Sequence, residues 1–270
     1  MKLLSFVLFI LIVPQCMFAQ KIKIFQEQKQ NGYVIYGSNK EFFPISVILD
    51  FNLTNMKFSE DASKILVVPP GTEKYNLGEL TVVNSTKQYN FSYKFKTAMG
   101  DLNLTNTNQT FGYELPYQKG KSIKVYQGYN GTFSHKDQKA LDFTMPEGTD
   151  VLAAREGTIV DFIQNNTEAC PREECKKYNN YVTVMHDDGT FAQYVHIQYN
   201  SVKVTLGAKI KTGDVIAHSG NVGWTNGPHL HFVCFSGGFD KWKTLETKFK
   251  IDKGEKVITL NEGMTYLKDY

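Results

Sequence analysis

The sequence predicts an all-β protein of two antiparallel domains, and three of its features favour that fold class. Apolar and polar residues alternate along several runs, most cleanly over residues 89–96 (YNFSYKFK). Clusters of Gly, Pro and Asn, such as residues 69–71 (PPG), separate these runs, which is typical of antiparallel strands with one buried face. No segment of the 270 residues has a convincing helical period.

The first domain is expected at residues 20–115, where the alternating pattern continues without a histidine. A run of about 90 residues of this kind is typical of a small β-sandwich, so we expect its aromatic residues in a core. A polar passage at residues 117–121 leads into a second domain, residues 116–240, which contains all six histidines. Residues 241–270 are expected to add one or two strands as a C-terminal β extension.

The N-terminus has the features of a secretory signal peptide over residues 1–19. A lysine at position 2 precedes an apolar run, residues 3–13, and Ala19 offers a small residue for cleavage. The apolar run is too short to span a bilayer as a helix. A lipoprotein anchor at Cys16 is the alternative, although Gln15 stands where a small residue is usual. We therefore expect an exported protein, periplasmic or extracellular, without stable membrane insertion after cleavage.

Cysteine and charge content narrow the function further. Export implies an oxidising compartment, so Cys170 and Cys175 are expected to form a local disulfide. A zinc site of their own would need further ligands nearby, and the sequence offers none. Cys234 lies among apolar residues and is expected to be an inert buried thiol. The net charge of only +3 gives no sign of a nucleic-acid partner.

Two histidines, His229 and His231, stand two positions apart in residues 227–232 (GPHLHF). If this segment is a strand, both side chains project from the same face, with attachment points about 6.5–7 Å apart. That spacing suits one histidine bound to a metal and a second beside it. It suits two histidines on a solvated sheet face equally well, so the pair alone leaves both interpretations open.

Several motifs, in order along the chain, resemble the lysostaphin-type zinc endopeptidases, also called the LytM-domain family or duplicated hybrid motif peptidases. They are residues 134–135 (SH), 140–149 (ALDFTMPEGT), 194–197 (YVHI), 209–216 (KIKTGDVI), 219–223 (SGNVG) and 227–232 (GPHLHF). The resemblance extends over about residues 126–235, and several motifs in order are far more specific than any one of them. It implies an antiparallel peptidase scaffold with an open groove.

The resemblance also implies a zinc ion held by His135, Asp142 and His231. Three protein ligands are the usual number at a catalytic zinc site. By the same resemblance, His196 and His229 would be the catalytic histidines beside the metal. We assign His229 as the general base and His196 as its partner.

One departure from the family pattern concerns the spacing of the first two ligands. Six residues, 136–141, separate His135 from Asp142, whereas the commonest family pattern has three. An insertion in a surface loop still allows both ends to converge on a metal. Asp137 is the alternative ligand, but we prefer Asp142 because the surrounding residues, LDF and then PEGT, keep the family frame.

Other residues receive less specific assignments. Tyr129 is similar in position to a tyrosine that some members of the family place near the oxyanion, although ordinary packing explains it equally well. Trp224 and Asn226 are expected to line the substrate groove. His186 is interpreted as a solvated turn residue, and His218 as a structural histidine rather than a ligand.

The resemblance implies a secreted endopeptidase that hydrolyses peptide stems or crosslinks of bacterial peptidoglycan, and we expect a monomer. A second hypothesis is a catalytically silent LytM-domain protein that binds or activates other cell-wall hydrolases. Such proteins typically lack a metal ligand, whereas all five histidine and aspartate positions are filled here. A third hypothesis places the main function in the N-terminal domain, as a module that binds carbohydrate or a partner protein.

Overall fold

A computed structural model describes residues 22–61, 63–104, 108 and 110–270 of the chain. The signal peptide predicted at residues 1–19, and the alternative anchor at Cys16, lie outside these residues. Regular structure is almost entirely β, which confirms the predicted fold class. The described part of the chain contains one short 3₁₀ helix, Glu173–Tyr178, and no helix in it is long and apolar enough to cross a membrane.

The N-terminal residues form two small antiparallel sheets that share one core. In one sheet the strand order is β1-β2-β6-β4, and in the other it is β5-β3-β7. Ile35 and Leu80 of the first sheet and Val47 of the second are fully buried in that core. The strands are β1 Ile22–Lys29, β2 Gly32–Asn39, β3 Ile45–Thr54, β4 Met56–Phe58, β5 Leu66–Val68, β6 Thr72–Val82 and β7 Asn90–Met99.

The rest of the chain is built on a nine-stranded sheet with the order β16-β12-β14-β15-β19-β10-β9-β23, in which β20 also pairs with β19. Smaller pairings are β11-β17, β13-β18 and β22-β21-β8. The strands are β8 Gly112–Tyr113, β9 Ser122–Gln127, β10 Ala140–Phe143, β11 Asp150–Leu152, β12 Gly157–Ile163, β13 Ala169–Cys170, β14 Tyr181–Met185, β15 Phe191–Val195, β16 Lys209–Ile210, β17 Val215–His218, β18 Gly223–Trp224, β19 Leu230–Ser236, β20 Lys243–Leu245, β21 Lys248–Ile251, β22 Lys256–Ile258 and β23 Thr265–Leu267.

The central strand β19 shows how the two faces of this sheet differ. Successive side chains of a strand point to opposite faces. Leu230, Phe232 and Cys234 enter the large core of the second half of the chain. His231 and Val233, which alternate with them, lie on the opposite face. One strand therefore contributes apolar side chains to the core and His231 to the opposite face of the sheet.

The N-terminal sheets pack against the same face of the large sheet that carries His231. Phe43, which precedes β3, and Met99, at the end of β7, join a small core with Phe191 and Phe235. The rings of Phe43 and Phe191 meet edge to face with centroids 6.0 Å apart. This sheet face is thus divided, with the histidines at one end and the N-terminal sheets at the other.

Residues 241–270 are integrated into the second half of the chain and do not form a separate extension. They contribute four short strands, not the one or two that we expected. Strand β20 extends the large sheet beside β19, β23 pairs with β9, and β21 pairs with β8. The polar passage before β9 is also tied in, because the Gly120 amide donates to the carbonyl of Lys268.

His186 is buried, which corrects its interpretation as a solvated turn residue. Only 1% of its surface is exposed. Its Nδ1 lies 2.7 Å from the carbonyl oxygen of Glu156, and its Nε2 has no hydrogen-bond partner among the described residues. Burial lowers the pKa of His186 to about 4, because desolvation penalises the charged imidazolium.

The lowered pKa of His186 predicts a loss of stability in weak acid. The neutral imidazole contributes fully above pH 6.5, its ordinary pKa, and that contribution is lost as the pH falls through about 4. A shift of this size corresponds to about 3 kcal/mol. Urea unfolding at pH 7 and pH 4 should therefore show a smaller pH-dependent loss for His186→Gln than for the unsubstituted protein. Partly exposed His218→Gln is the control, and equal losses in all three proteins would contradict the prediction.

Candidate metal centre

Three ligand-type side chains converge because of the pairing of β9, β10 and β19. Asp142 of β10 is directly opposite His231 of β19 in the antiparallel register. His135 comes from the loop between β9 and β10, and the six-residue spacer folds so that its imidazole lies beside the other two. Asp137, the alternative ligand, is exposed and does not belong to this group.

The three ligand atoms lie at nearly equal distances from one another. His135 Nε2 is 3.2 Å from Asp142 Oδ1 and 3.1 Å from His231 Nδ1. His231 Nδ1 is 2.9 Å from Asp142 Oδ1. Ligands at about 2.0–2.1 Å from a tetrahedral zinc lie roughly 3.4 Å apart. The set therefore fits a zinc ion after an outward movement of a few tenths of an ångström.

The electrostatics of the triad favour an ionised carboxylate. Burial by itself would raise the pKa of Asp142, but hydrogen bonds with His135 and His231 outweigh it and hold that pKa well below its usual range. Burial lowers the pKa of His231, and the contact with Asp142 opposes that effect only in part. A carboxylate and neutral imidazoles are the protonation states that bind metal ions.

Gln127, at the end of β9, fixes the orientation of Asp142. Its amide Nε2 donates to Asp142 Oδ2 at 2.8 Å, which leaves Oδ1 directed at the two histidines. Its Oε1 accepts hydrogen bonds from the backbone amides of Phe133 and Ser134, and so holds the loop that ends at His135. Hydrogen bonds of this kind to metal ligands tune metal affinity strongly.

A bulge in β9 brings Gln127 to this position. Asp142 is opposite Gln127, whereas the next residue of β10, Phe143, is opposite Val125. The extra residue in β9 is Tyr126, and a bulge of this type redirects neighbouring side chains. Gln127 was not predicted as a site residue. The sequence signal for it is that β9 alternates between exposed and buried residues, and after Ile123 and Val125 the third buried position holds a polar amide instead of an apolar side chain.

Both predicted catalytic histidines lie beside the triad. His229 Nδ1 is 2.8 Å from the carbonyl oxygen of Gly227, and His196 Nδ1 is 2.8 Å from that of Val222. Because each Nδ1–H donates to a carbonyl, each Nε2 is left as an acceptor. His229 Nε2 is 3.7 Å from Asp142 Oδ1. Both side chains are almost fully buried.

His196 is held in an unusual backbone conformation. Its φ is +65°, in the left-handed region that costs a non-glycine residue about 1–3 kcal/mol and is enriched at functional sites. Its ring lies 4.6 Å from that of His229. Burial, followed by the nearby His229 and His231, lowers the pKa of His196 well below its usual value. His196 is thus neutral at physiological pH.

Two tyrosines near the centre, Tyr129 and Tyr126, make different contacts. The hydroxyl of Tyr129 donates to the carbonyl of Thr247 at 2.9 Å and accepts its amide at 2.8 Å. Burial raises the pKa of Tyr129 to about 12. Both contacts commit this hydroxyl to residue 247, which favours ordinary packing among the two alternatives that the sequence left open for Tyr129. Tyr126, which we did not single out, packs edge to face on His229 at 5.7 Å and donates to Asn226 Oδ1 at 3.2 Å.

A groove of about 820 Å³ opens beside His231 and His196. Trp224 lines this groove, whereas Asn226 is exposed and its Oδ1 accepts a hydrogen bond from the Tyr126 hydroxyl. Cys170 and Cys175 are joined by a disulfide. Strand β13, which contains Cys170, pairs with β18, which contains Trp224. The disulfide loop therefore supports the groove wall.

Cys234 is buried in the large core, on the sheet face opposite His231. Burial raises the pKa of its thiol to about 12.

Comparison with known proteins finds a family match for this part of the chain. Residues 136–240, which begin directly after His135, match the sequence profile of peptidase family M23. This match confirms the resemblance drawn from the motifs, and lysostaphin is among the similar proteins.

Two curated relatives and one solved structure illustrate the similarity to the M23 domain. Glycyl-glycine endopeptidase ALE-1 of Staphylococcus capitis is 32% identical over 46% of this chain and 30% of its own length. Peptidoglycan DD-endopeptidase ShyA of Vibrio cholerae is 34% identical over 36% of this chain and 20% of its own length. The catalytic domain of lysostaphin from Staphylococcus simulans is 26% identical, with a TM-score of 0.33, over 46% of this chain and 87% of that domain. The chain thus spans less than a third of these two curated relatives.

Removal of the Gln127 amide is predicted to weaken metal binding. In Gln127→Ala the Asp142 carboxylate loses a buried hydrogen bond, and the loop before His135 loses its anchor. We expect the zinc affinity to fall about 10- to 100-fold, as measured by competition with a chromogenic chelator. Exposed Gln88→Ala is the matched control. An unchanged affinity in Gln127→Ala would exclude the positioning role.

Proposed function

We propose that the protein is a secreted zinc metallo-endopeptidase that hydrolyses peptide crosslinks of bacterial peptidoglycan. The observation that carries this proposal is the set of three convergent metal ligands with two buried histidines beside them, next to a groove and in a region that largely coincides with the match to family M23. The name of the relative ShyA, a peptidoglycan DD-endopeptidase, supports the cell-wall substrate, and that of ALE-1, a glycyl-glycine endopeptidase, supports peptide hydrolysis. The expected export of the chain is consistent with that substrate.

In this proposal His135, Asp142 and His231 hold the zinc ion through one atom each. Zinc in such a site lowers the pKa of a water molecule towards about 7 and polarises a substrate carbonyl. The protein holds these ligand side chains in fixed positions through hydrogen bonds. His135 is oriented by the carbonyl oxygen of Gly128, 2.8 Å from its Nδ1, and Asp142 is oriented by Gln127.

The two other histidines move protons in the proposed reaction. His229 acts as the general base, because its Nε2 is left as an acceptor and lies beside the ligand atoms, 3.7 Å from Asp142 Oδ1. It takes a proton from water and passes one to the leaving amine. His196 is its partner. With their rings 4.6 Å apart, two imidazolium charges would repel each other, so the pair carries at most one extra proton.

A catalytically silent LytM-domain protein remains the second hypothesis. The long spacer between His135 and Asp142 is the feature of the sequence that favours it. The convergence of both residues with His231 supports the enzyme instead. Zinc content and activity, measured on the same preparation, separate the two hypotheses.

The first test is the zinc content of residues 20–270 together with the clearing of a purified peptidoglycan suspension. We expect one zinc ion per chain and a fall in turbidity. His231→Ala should lose both, whereas His218→Ala, a matched histidine outside the triad, should retain both. Zinc without clearing would favour the silent binder, and the absence of both would refute the enzyme.

His229→Ala separates proton transfer from metal binding. The substitution leaves all three ligands in place, so the zinc content should stay at one per chain. Loss of a general base lowers kcat by about 10²- to 10⁴-fold, measured by the release of amino groups from peptidoglycan. A kcat close to that of the unsubstituted protein would show that His229 is not the base.

A further inference from the structure

The groove beside the metal centre has a strongly biased charge. Its charged lining consists of five lysines and one aspartate, namely Lys136, Lys139, Lys176, Lys241, Lys243 and Asp137. The whole chain has 30 basic and 27 acidic residues. The rest of the chain therefore has 25 basic and 26 acidic residues. The positive charge of this protein is thus concentrated at one place.

These lysines come from three separate parts of the fold that meet around the groove. Lys136 and Lys139 belong to the spacer after His135, Lys176 to the 3₁₀ helix beside the disulfide, and Lys241 and Lys243 to the segment at β20. Their charges are not neutralised locally, because the ion pairs of the described residues involve other lysines. The spacer that departs from the family pattern therefore supplies part of this charge.

The floor of the groove is uncharged, apart from the histidines at its end. Gln193 and Val195 of β15 and Val233 of β19 line it. Val195 and Val233 are buried, and neutral side chains such as Gln193 suit a peptide backbone. A ring of cations around a neutral floor favours a ligand whose backbone lies along the floor and whose anionic groups point outward.

We propose that the groove selects crosslink peptides that carry free carboxylates, and discriminates against neutral glycine bridges. This inference rests on the proposed function and names its substrate class. A glycine bridge has no side-chain charge to pair with the lysines, whereas a stem peptide with free carboxylates can pair with several of them.

An anionic phosphate polymer of the wall is the competing ligand for a lysine-rich surface. The location of the charges favours a peptide, because the lysines line the same groove as the metal ligand His231. The lining also includes Gln138, Asn179 and Thr244. Their amide and hydroxyl groups match peptide N–H and C=O groups, which a phosphate polymer lacks.

Binding can be measured without catalysis, because both tryptophans of the chain line the groove. Trp224 and Trp242 are the two tryptophans of the sequence, so intrinsic fluorescence reports groove occupancy directly. The full chain with His231→Ala serves as a non-hydrolysing binder. The probes are a crosslinked stem peptide with free carboxylates, the same peptide with its carboxylates amidated, and a terminally blocked pentaglycine.

The free-carboxylate peptide should bind about tenfold more tightly than its amidated analogue, and pentaglycine should bind no better than the latter. The preference should shrink in 1 M salt, where the screening length is about 3 Å. In the same background, Lys241→Gln with Lys243→Gln should weaken binding of the free-carboxylate peptide about fivefold and leave the amidated peptide unaffected. Lys241→Arg with Lys243→Arg should restore it.

A matched control removes the same charge elsewhere. Lys57→Gln with Lys87→Gln changes two exposed lysines of the N-terminal sheets and should not alter peptide binding. Equal binding of the free and amidated peptides would overturn the inference, and so would equal effects of the two double variants. A groove double variant that loses binding only to phosphate-containing wall polymer would assign the lysines to that polymer instead.

The same peptides separate failure of this inference from failure of the proposed function. With the unsubstituted zinc-loaded protein, cleavage of all three probes at similar kcat/KM would leave the peptidase intact and refute the selection. A preference for the free-carboxylate peptide in binding, without cleavage of any probe, would support the selection and refute the enzyme.

Discussion

The register between β10 and β19 is the constraint on which the candidate site depends. Asp142 and His231 are cross-strand neighbours, and a slip of one residue would turn one of them into the apolar core beside Phe143 and Phe232. That core resists the slip, because the alternate residues of both strands are buried in it. Packing on one face of the sheet therefore holds the ligand geometry on the other face, because Asp142 and His231 are paired directly across two neighbouring strands.

Much of this arrangement could be predicted from the sequence, for physical reasons. Period-2 alternation reports the two faces of a strand directly, so the all-β class follows from it. The ligand residues were assigned by resemblance, and their convergence depends on pairings between segments about 90 residues apart, which periodicity does not reveal. The spacer of residues 136–141 was a concern in the sequence, but residues 136–139 form a loop that lines the groove, residues 140 and 141 belong to β10, and the triad stays together.

The features that the sequence did not reveal are those set by irregular geometry. Gln127 reaches Asp142 through a bulge, and a bulge leaves no regular mark on hydropathy. His186 precedes a sequence that is typical of a turn, yet its imidazole turns inward to the carbonyl of Glu156. The contacts of Tyr129 and Tyr126 could not be predicted for the same reason. The position of Tyr129 along the chain suggested a place near the oxyanion, whereas the side-chain contacts place Tyr126 against His229.

The division of one sheet face between the histidines and the N-terminal sheets has a consequence for modularity. Phe191 and Phe235 are fully buried, with Phe43 and Met99 packed against them. A fragment that kept only the region matching family M23 would expose part of these aromatic rings to water on the sheet face that carries His231. The second half of this chain is therefore not an independent module. Joining it to a different N-terminal domain would require new polar residues on that face, because the preceding sheets cover it here.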